Sequence, residues 1–293
     1  DKQGQLCAQA AHIPVHLGSM AWAMQGLVEA EDWQAGDMLV VNDPFRGGTH
    51  LPDVTVVAPV FSDDELLGFV ANRAHHADIG SQMPGSMPVS SSLEEEGVII
   101  APRLLIKAGV RDEAFWQSLM AQLGNPDQSA GDFVAQMSAN KTGVARLQAL
   151  ATNAPTAFAE KLKAVNDYAT RLAHRSYSDI PNGSYGFNDV MDDDGCGSNS
   201  IAIECVITVC DGKIAVDFAG TAPQVAGNIN CPLSVTAAGV LYVFRCLLPA
   251  QTPACAGAFA AIDITAPEGC LLNATGPAAV AAGNVETSTR VVD

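Results

Sequence analysis

The residues best suited to chemistry stand in two short stretches. "GGTHLPD" (47–53) places His50 three positions before Asp53, and "ANRAHHADIG" (71–80) supplies His75 and His76. The chain has six histidines in 293 residues, so three in these stretches is a concentration. Two neutral imidazoles and one carboxylate form a common donor set for Zn, Mn or Fe(II), with positions left open for water or substrate. The H-x-x-D spacing lets His50 and Asp53 reach one ion from a loop or a strand entry. The alternative is that these histidines cap turns and satisfy backbone groups. Just upstream, "VNDPFRGGTH" (41–50) sets Asn42, Asp43 and Arg46 around Gly47 and Gly48, and such glycines let backbone approach a ligand closely. The same letters also make an ordinary Asn-Asp-Pro turn.

The elements that must position these residues are legible in part. "GDMLVVND" (36–43) and "VTVVAPVFSDDELLGFVANRAH" (54–75) are rich in β-branched residues, and Ser62-Asp63-Asp64-Glu65 breaks the second into a hairpin. His50 and Asp53 lead into its first strand and His75 ends its second. A hairpin brings its open ends together, so His50, Asp53 and His75 should be neighbours. His76 then points to the opposite face of the strand and suits a supporting or catalytic position. Residues 92–110 read as a short strand region. From Asn125-Pro126, an N-cap followed by a first-turn proline, the pattern is helical as far as Pro155. A second helix follows, and Pro181-Asn182-Gly183 ends the block. Cys210-Asp211-Gly212 marks another hairpin turn, and "CPLSVTAAGVLYVFRCLL" (231–248) a buried helix. The first twenty residues read as the second strand of a hairpin already under way. The expected class is α+β, with mixed sheets, β-hairpins and a central helical block at 125–179 between lobes 1–124 and 180–293. Together these make one catalytic domain over 1–293, expected to be an interior piece of a longer chain.

Composition excludes several roles. Hydrophobic residues make up 48% and charged residues 16%, which describes a well-buried globular chain. Lys and Arg number 15 against 32 Asp and Glu, a formal charge of −17. No basic cluster is present to replace phosphate counterions or to meet an anionic membrane, so nucleic acid and lipid surfaces are excluded as principal partners. The eight cysteines include no C-x-x-C pair, and several sit in apolar runs, the pattern of free thiols in a reducing compartment. A cytoplasmic location is expected.

Other motifs are weaker. "MDDDGCG" with Asp192, Asp193 and Asp194 resembles part of a Ca²⁺ loop, but the remaining ligands are missing and a solvated turn fits better. "FAGTAPQVAGNINCP" and "AAGNVETS" carry Gly-Asn pairs suited to amide or anion contacts, or simply to turns. Cys231 could be a nucleophile but lacks a nearby histidine in sequence. The chain contains no G-x-x-x-x-G-K-[ST], G-x-G-x-x-G or G-x-S-x-G.

Taken together, "NDPFRGGTHLPDVTVVAPVF", "FVANRAHHADIGSQMPGSMP", "EEGVIIAP", "DFAGTAPQVAGNINCP" and "AAGNVETSTRVVD" resemble the hydantoinase B/oxoprolinase family over nearly the whole chain. That family includes B subunits of ATP-dependent hydantoinases, the C-terminal half of 5-oxoprolinases, and a large subunit of acetone and acetophenone carboxylases. The resemblance implies a divalent metal (Mn, Zn or Fe) on His50, Asp53 and His75, with a further ligand from upstream. It also implies that ATP is used by a partner, a hydantoinase A subunit of acetate-kinase-like fold, which phosphorylates a cyclic amide and passes it on. Water activated by the metal would then attack the ring carbonyl carbon, with His76 or Asp43 as general acid or base. Asn42, Arg46 and Gly48 would contact the substrate. Two rivals stand beside this hydrolase reading: a ketone carboxylase subunit, and a non-catalytic scaffold for the kinase-like partner.

Overall fold

The computed structural model describes residues 1–10, 13–29, 31–83, 85, 87–152 and 154–293. It is an α+β fold built on two sheets. The first contains β1 (Met38–Val41), β2 (Asp53–Ser62), β3 (Glu65–His75), β4 (Arg103–Lys107) and β5 (Val110–Arg111), in the order β3-β2-β1-β4-β5. All its neighbours are antiparallel. The β2–β3 hairpin turns at Asp63-Asp64, with Asp63 in the left-handed region at φ 51°. Its register pairs Asp53 directly with His75, as the hairpin reading required.

The helical block lies between the two sheets in sequence and serves both. After α1 (Val15–Val28) and α2 (Glu113–Met120), α3 (Pro126–Ala151) starts as expected at Asn125, whose side chain accepts from Gln128 N, with Pro126 in the first turn. Two polar residues one turn apart on its buried face grip the first sheet. Gln136 Nε2 donates to Val54 O and to Asn72 Oδ1, and Asn140 Nδ2 donates to Val56 O. Phe133 joins Val54, Val56, Leu105 and Leu119 in the core beneath. The next helix, α4 (Pro155–Tyr177), belongs to the second core, where its Tyr177 packs with Ile214, Phe218, Leu271 and Leu272.

The second sheet runs β6 (Gly183–Asp193), β7 (Asn199–Cys210), β8 (Lys213–Asp217) and β9 (Ile262–Thr265), antiparallel except for the parallel β8–β9 pair. The β7–β8 turn falls at Asp211-Gly212, as expected. The chain then forms α5 (Leu233–Cys246), a single π turn at Gly283–Thr287 and α6 (Ser288–Val292). On the way, Val280 enters the core under the first sheet. Among the described residues no helix is long and apolar enough to cross a membrane.

One expectation is corrected, a second is narrowed, and one strand was not assigned from the sequence. Residues 1–10 carry no strand, and the first regular element is α1, whose even spread of apolar residues gives no period-2 alternation. The strand region read at 92–110 is confined to its second half: a 3-10 turn occupies Leu93–Glu96, and the strands are Arg103–Lys107 and Val110–Arg111. "GSYGFNDVMDD", which lacks a run of β-branched residues, is the long edge strand β6.

Within "MDDDGCG" a turn forms, yet Asp194 is buried rather than solvated. Its Oδ1 accepts from Cys196 N and Ser198 N, and its Oδ2 from Gly227 N, tying the β6–β7 turn to a distant loop. Burial pushes this carboxyl up, but those backbone N–H groups pull it down to about 2. A carboxylate whose folded pKa lies below its unfolded value of ~3.9 stabilises the fold at higher pH and loses that contribution as pH falls towards 2. Asp194→Asn should therefore lower stability at neutral pH by about 1–3 kcal/mol and flatten the acid limb below pH ~4 in denaturant titrations.

Candidate metal centre

The site sits where the hairpin opens. Thr49 and His50 precede β2, Asp53 is its first residue and His75 the last of β3. His75 Nδ1 is 3.0 Å and His50 Nε2 3.2 Å from the same Asp53 Oδ1, and the two imidazole centroids are 5.1 Å apart. One donor atom from each of the three falls within 4.8 Å of the others. His50 and Asp53 are buried, whereas the His75 side chain is 47% exposed, so the site is walled on one side and open on the other.

Electrostatics hold the carboxylate ionised. Burial would raise the Asp53 carboxyl, but the contacts from His50 and His75, the charge of His50 and the Thr49 hydroxyl hold it well below the usual range. Thr49 Oγ1 donates to Asp53 Oδ2 at 2.6 Å, leaving Oδ1 for the imidazoles. Asp53 in turn pulls the His75 pKa up against the effect of its partial burial. His50 Nδ1 is buried without a hydrogen-bond partner among the described residues, and its Nε2 meets Asp53 Oδ1. An imidazole enclosed beside a carboxylate and a second imidazole, one donor atom of each turned to the same point, suits a cation that draws on all three lone pairs. The donor set fits a divalent ion.

The surrounding loop is held from several sides. Arg73 donates to Thr55 Oγ1, Ser19 Oγ and Gly47 O, joining β3 to β2, α1 and the glycine loop. Burial lowers its pKa to about 10 while Asp53 raises it, so it stays cationic at neutral pH. Ser234 Oγ of α5 donates to Gly48 O. A Cβ on Gly48 would stand 2.2 Å from Asn42 O and 2.7 Å from Asp43 O, so glycine is needed here for the loop to fold on itself.

The other sequence candidates are distributed around this centre. Asn42 is fully buried: its Nδ2 donates to Leu51 O and Val98 O, and its Oδ1 accepts from Ile100 N. The side-chain polar groups of Asn42 and the space beside Gly48 are thus taken by the chain itself, and both residues brace the loop. Asp43 is half-buried, with Oδ1 capping the 3-10 turn Pro44–Arg46 at Phe45 N, and Arg46 is exposed. His76 does face away from His75. It lies beneath the sheet, its centroid 4.6 Å from the Phe133 ring and its Nε2 2.8 Å from Gln136 Oε1. Burial lowers its pKa and favours the neutral ring.

Cys231 is buried, donates to Gly283 O at 3.1 Å and has its thiol pKa pushed up by burial, the reverse of an activated nucleophile. Gln136, Asn140 and Glu96 are absent from the sequence reading. For the first two a signal existed, since polar residues four apart sit on an otherwise apolar helix face.

Comparison with known proteins gives the chain's family and fold. The family model for hydantoinase B/oxoprolinase matches residues 1–293. A 5-oxoprolinase of Arabidopsis thaliana is 36% identical over 328 residues, covering 99% of this chain and 25% of that protein. The crystal structure of an ATP-dependent caprolactamase from Pseudomonas jessenii superposes with a TM-score of 0.89 at 26% identity, covering 99% of this chain and 51% of that one. A nucleotide-free acetone carboxylase shares the fold, with a TM-score of 0.83 at 18% identity, over 96% of this chain and 40% of that one. The chain therefore spans between about a quarter and a half of these relatives.

Proposed function

Because the chain belongs to the hydantoinase B/oxoprolinase family, we propose that it is the metal-holding part of an ATP-dependent cyclic amidase. In this reading the ring amide is first phosphorylated on an ATP-using partner of acetate-kinase-like fold and then hydrolysed here. The observation that carries it is the convergence of His50, Asp53 and His75 at the open end of one hairpin, with His75 facing outward. A divalent ion held there (Mn, Zn or Fe) would supply Lewis acidity to the carbonyl oxygen and make water acidic enough to attack near neutral pH. A planar amide is a poor electrophile; phosphorylating its oxygen would make the ring carbon a better one, so that water adds there, the C–N bond breaks with the ring nitrogen leaving as the amine, and the resulting acyl phosphate is hydrolysed to the acid and phosphate.

The chain's own residues prepare this centre. Thr49 and Arg73 fix Asp53 and the glycine loop, and Ser234 holds the loop from the helix side. Arg46, exposed at the loop, is the proposed contact for an anionic substrate group. Asp43, half-buried beside it, is the proposed proton carrier; His76, neutral and enclosed, is better placed to support the site from beneath through Gln136.

Hydrolysis is preferred to carboxylation because the relatives with higher identity carry the names 5-oxoprolinase and caprolactamase. The full-length protein with its partner and ATP should open a lactam or hydantoin ring, with an oxygen from labelled water in the acid product. Labelled bicarbonate appearing in a ketone-derived product instead would replace this reading with the carboxylase one.

A further inference from the structure

A buried carboxylate stands beside the candidate ligands and is not one of them. Glu96 ends the 3-10 turn Leu93–Glu96 and is 2% exposed, while Glu94 and Glu95 in the same run face solvent. Its Oε1 accepts from Ser90 Oγ at 2.8 Å, Val280 N at 2.8 Å and Ala281 N at 2.9 Å. Its Oε2 is equally enclosed and has no hydrogen-bond partner among the described residues. Burial raises its pKa, and three donors and the charge of His50 lower it in part. Leaving half of a buried carboxylate unpaired is costly, so this oxygen calls for a donor.

The fold brings His50 close enough to act on this carboxylate electrostatically. The Asn42 amide donates to both Leu51 O and Val98 O, one residue after His50 and two after Glu96, so the two segments lie side by side. Leu51, Leu93 and Val280 share one core, which packs the Glu96 turn and its backbone donors against the His50 loop. His50 Nε2 is the nitrogen 3.2 Å from Asp53 Oδ1. Its Nδ1 is therefore the nitrogen turned from the cluster, and it too is buried and unpartnered among the described residues.

We propose that Glu96 is the positioning residue of His50: its Oε2 accepts the Nδ1–H through one bridging water, and so fixes the tautomer that turns the Nε2 lone pair towards Asp53 and His75. Metal-bound histidines generally donate their other N–H to a carboxylate or carbonyl, which orients the ring and raises its basicity. The inference rests on the metal reading above. Glu96 itself lies outside the set of donor atoms within 4.8 Å of one another, which argues for this indirect role over direct ligation.

The test is competitive metal titration of the full-length wild type and Glu96→Gln, after stripping, against a chromophoric chelator. Glutamine keeps an oxygen for Ser90, Val280 and Ala281 but puts an N–H₂ where Oε2 stood. The expected result is metal affinity reduced by about 10–100-fold, with the melting of the metal-free proteins unchanged. Equal affinities would overturn the role of Glu96 while leaving the metal site intact. A wild type that binds no metal would overturn the metal reading and this inference with it. Should Glu96→Gln fail to fold, ¹⁵N-histidine spectra of the metal-loaded wild type decide: a protonated, exchange-protected His50 Nδ1 supports the proposal, and an unprotonated Nδ1 defeats it.

Discussion

Asp53→Asn should reduce ATP-dependent ring opening on the order of 10³-fold, because a bound ion contributes several kcal/mol to the transition state and each 1.36 kcal/mol is a factor of ten. The substitution removes the one anionic donor of the set and keeps its shape. Thr49 can turn its hydroxyl from donor to acceptor against the new amide, so the loop has no steric reason to open. The loss should appear in kcat, with partner-dependent ATP consumption still measurable, since phosphorylation is assigned elsewhere. Single-turnover measurement of ring opening beside ADP release separates the two. Turnover within tenfold of wild type would show that Asp53 is a structural hairpin residue.

Asn42→Ala should destabilise the protein by about 3–4 kcal/mol, close to the upper range for single substitutions. The amide is the only group seen to join Leu51 O, Val98 O and Ile100 N among the described residues, and Asn42 has no exposed surface. Its removal leaves two carbonyls and one N–H in a closed space, each costing about 1–3 kcal/mol before relaxation. Denaturant unfolding of wild type and variant measures this. A direct substrate contact predicts the opposite pattern, a raised KM with unchanged stability. That outcome would restore the ligand role the sequence suggested.

The contrast between these residues shows what a sequence exposes. Asp53 and His75 were readable as neighbours because the 54–75 hairpin carries β-branched runs around a polar turn, and antiparallel pairing fixes the rest. His50 followed from its distance to Asp53. Asn42 was visible as a polar residue in a glycine loop, but its direction was not, since its partners lie 9, 56 and 58 residues away. Glu96 was hidden in "LEEEGV", where three identical side chains give no hint of which is buried. The choice is made by Val280 and Ala281, supplied from the far end of the chain. Edge strand β6 was hard to see because glycine, serine and acidic residues fill positions that a buried strand would give to β-branched ones. Local chemistry survives in sequence; long-range bracing does not.

The central claim is that "GGTHLPD" and His75 hold a metal ion. Elemental analysis of the full-length protein purified with its partner and no added metal, beside its His50→Ala variant, tests it most directly. A near-stoichiometric content of Mn, Zn or Fe in the wild type, lost in the variant, is the predicted result. Absence of metal from the wild type, or equal content in both, would contradict it and leave His50, Asp53 and His75 as a hydrogen-bonded turn.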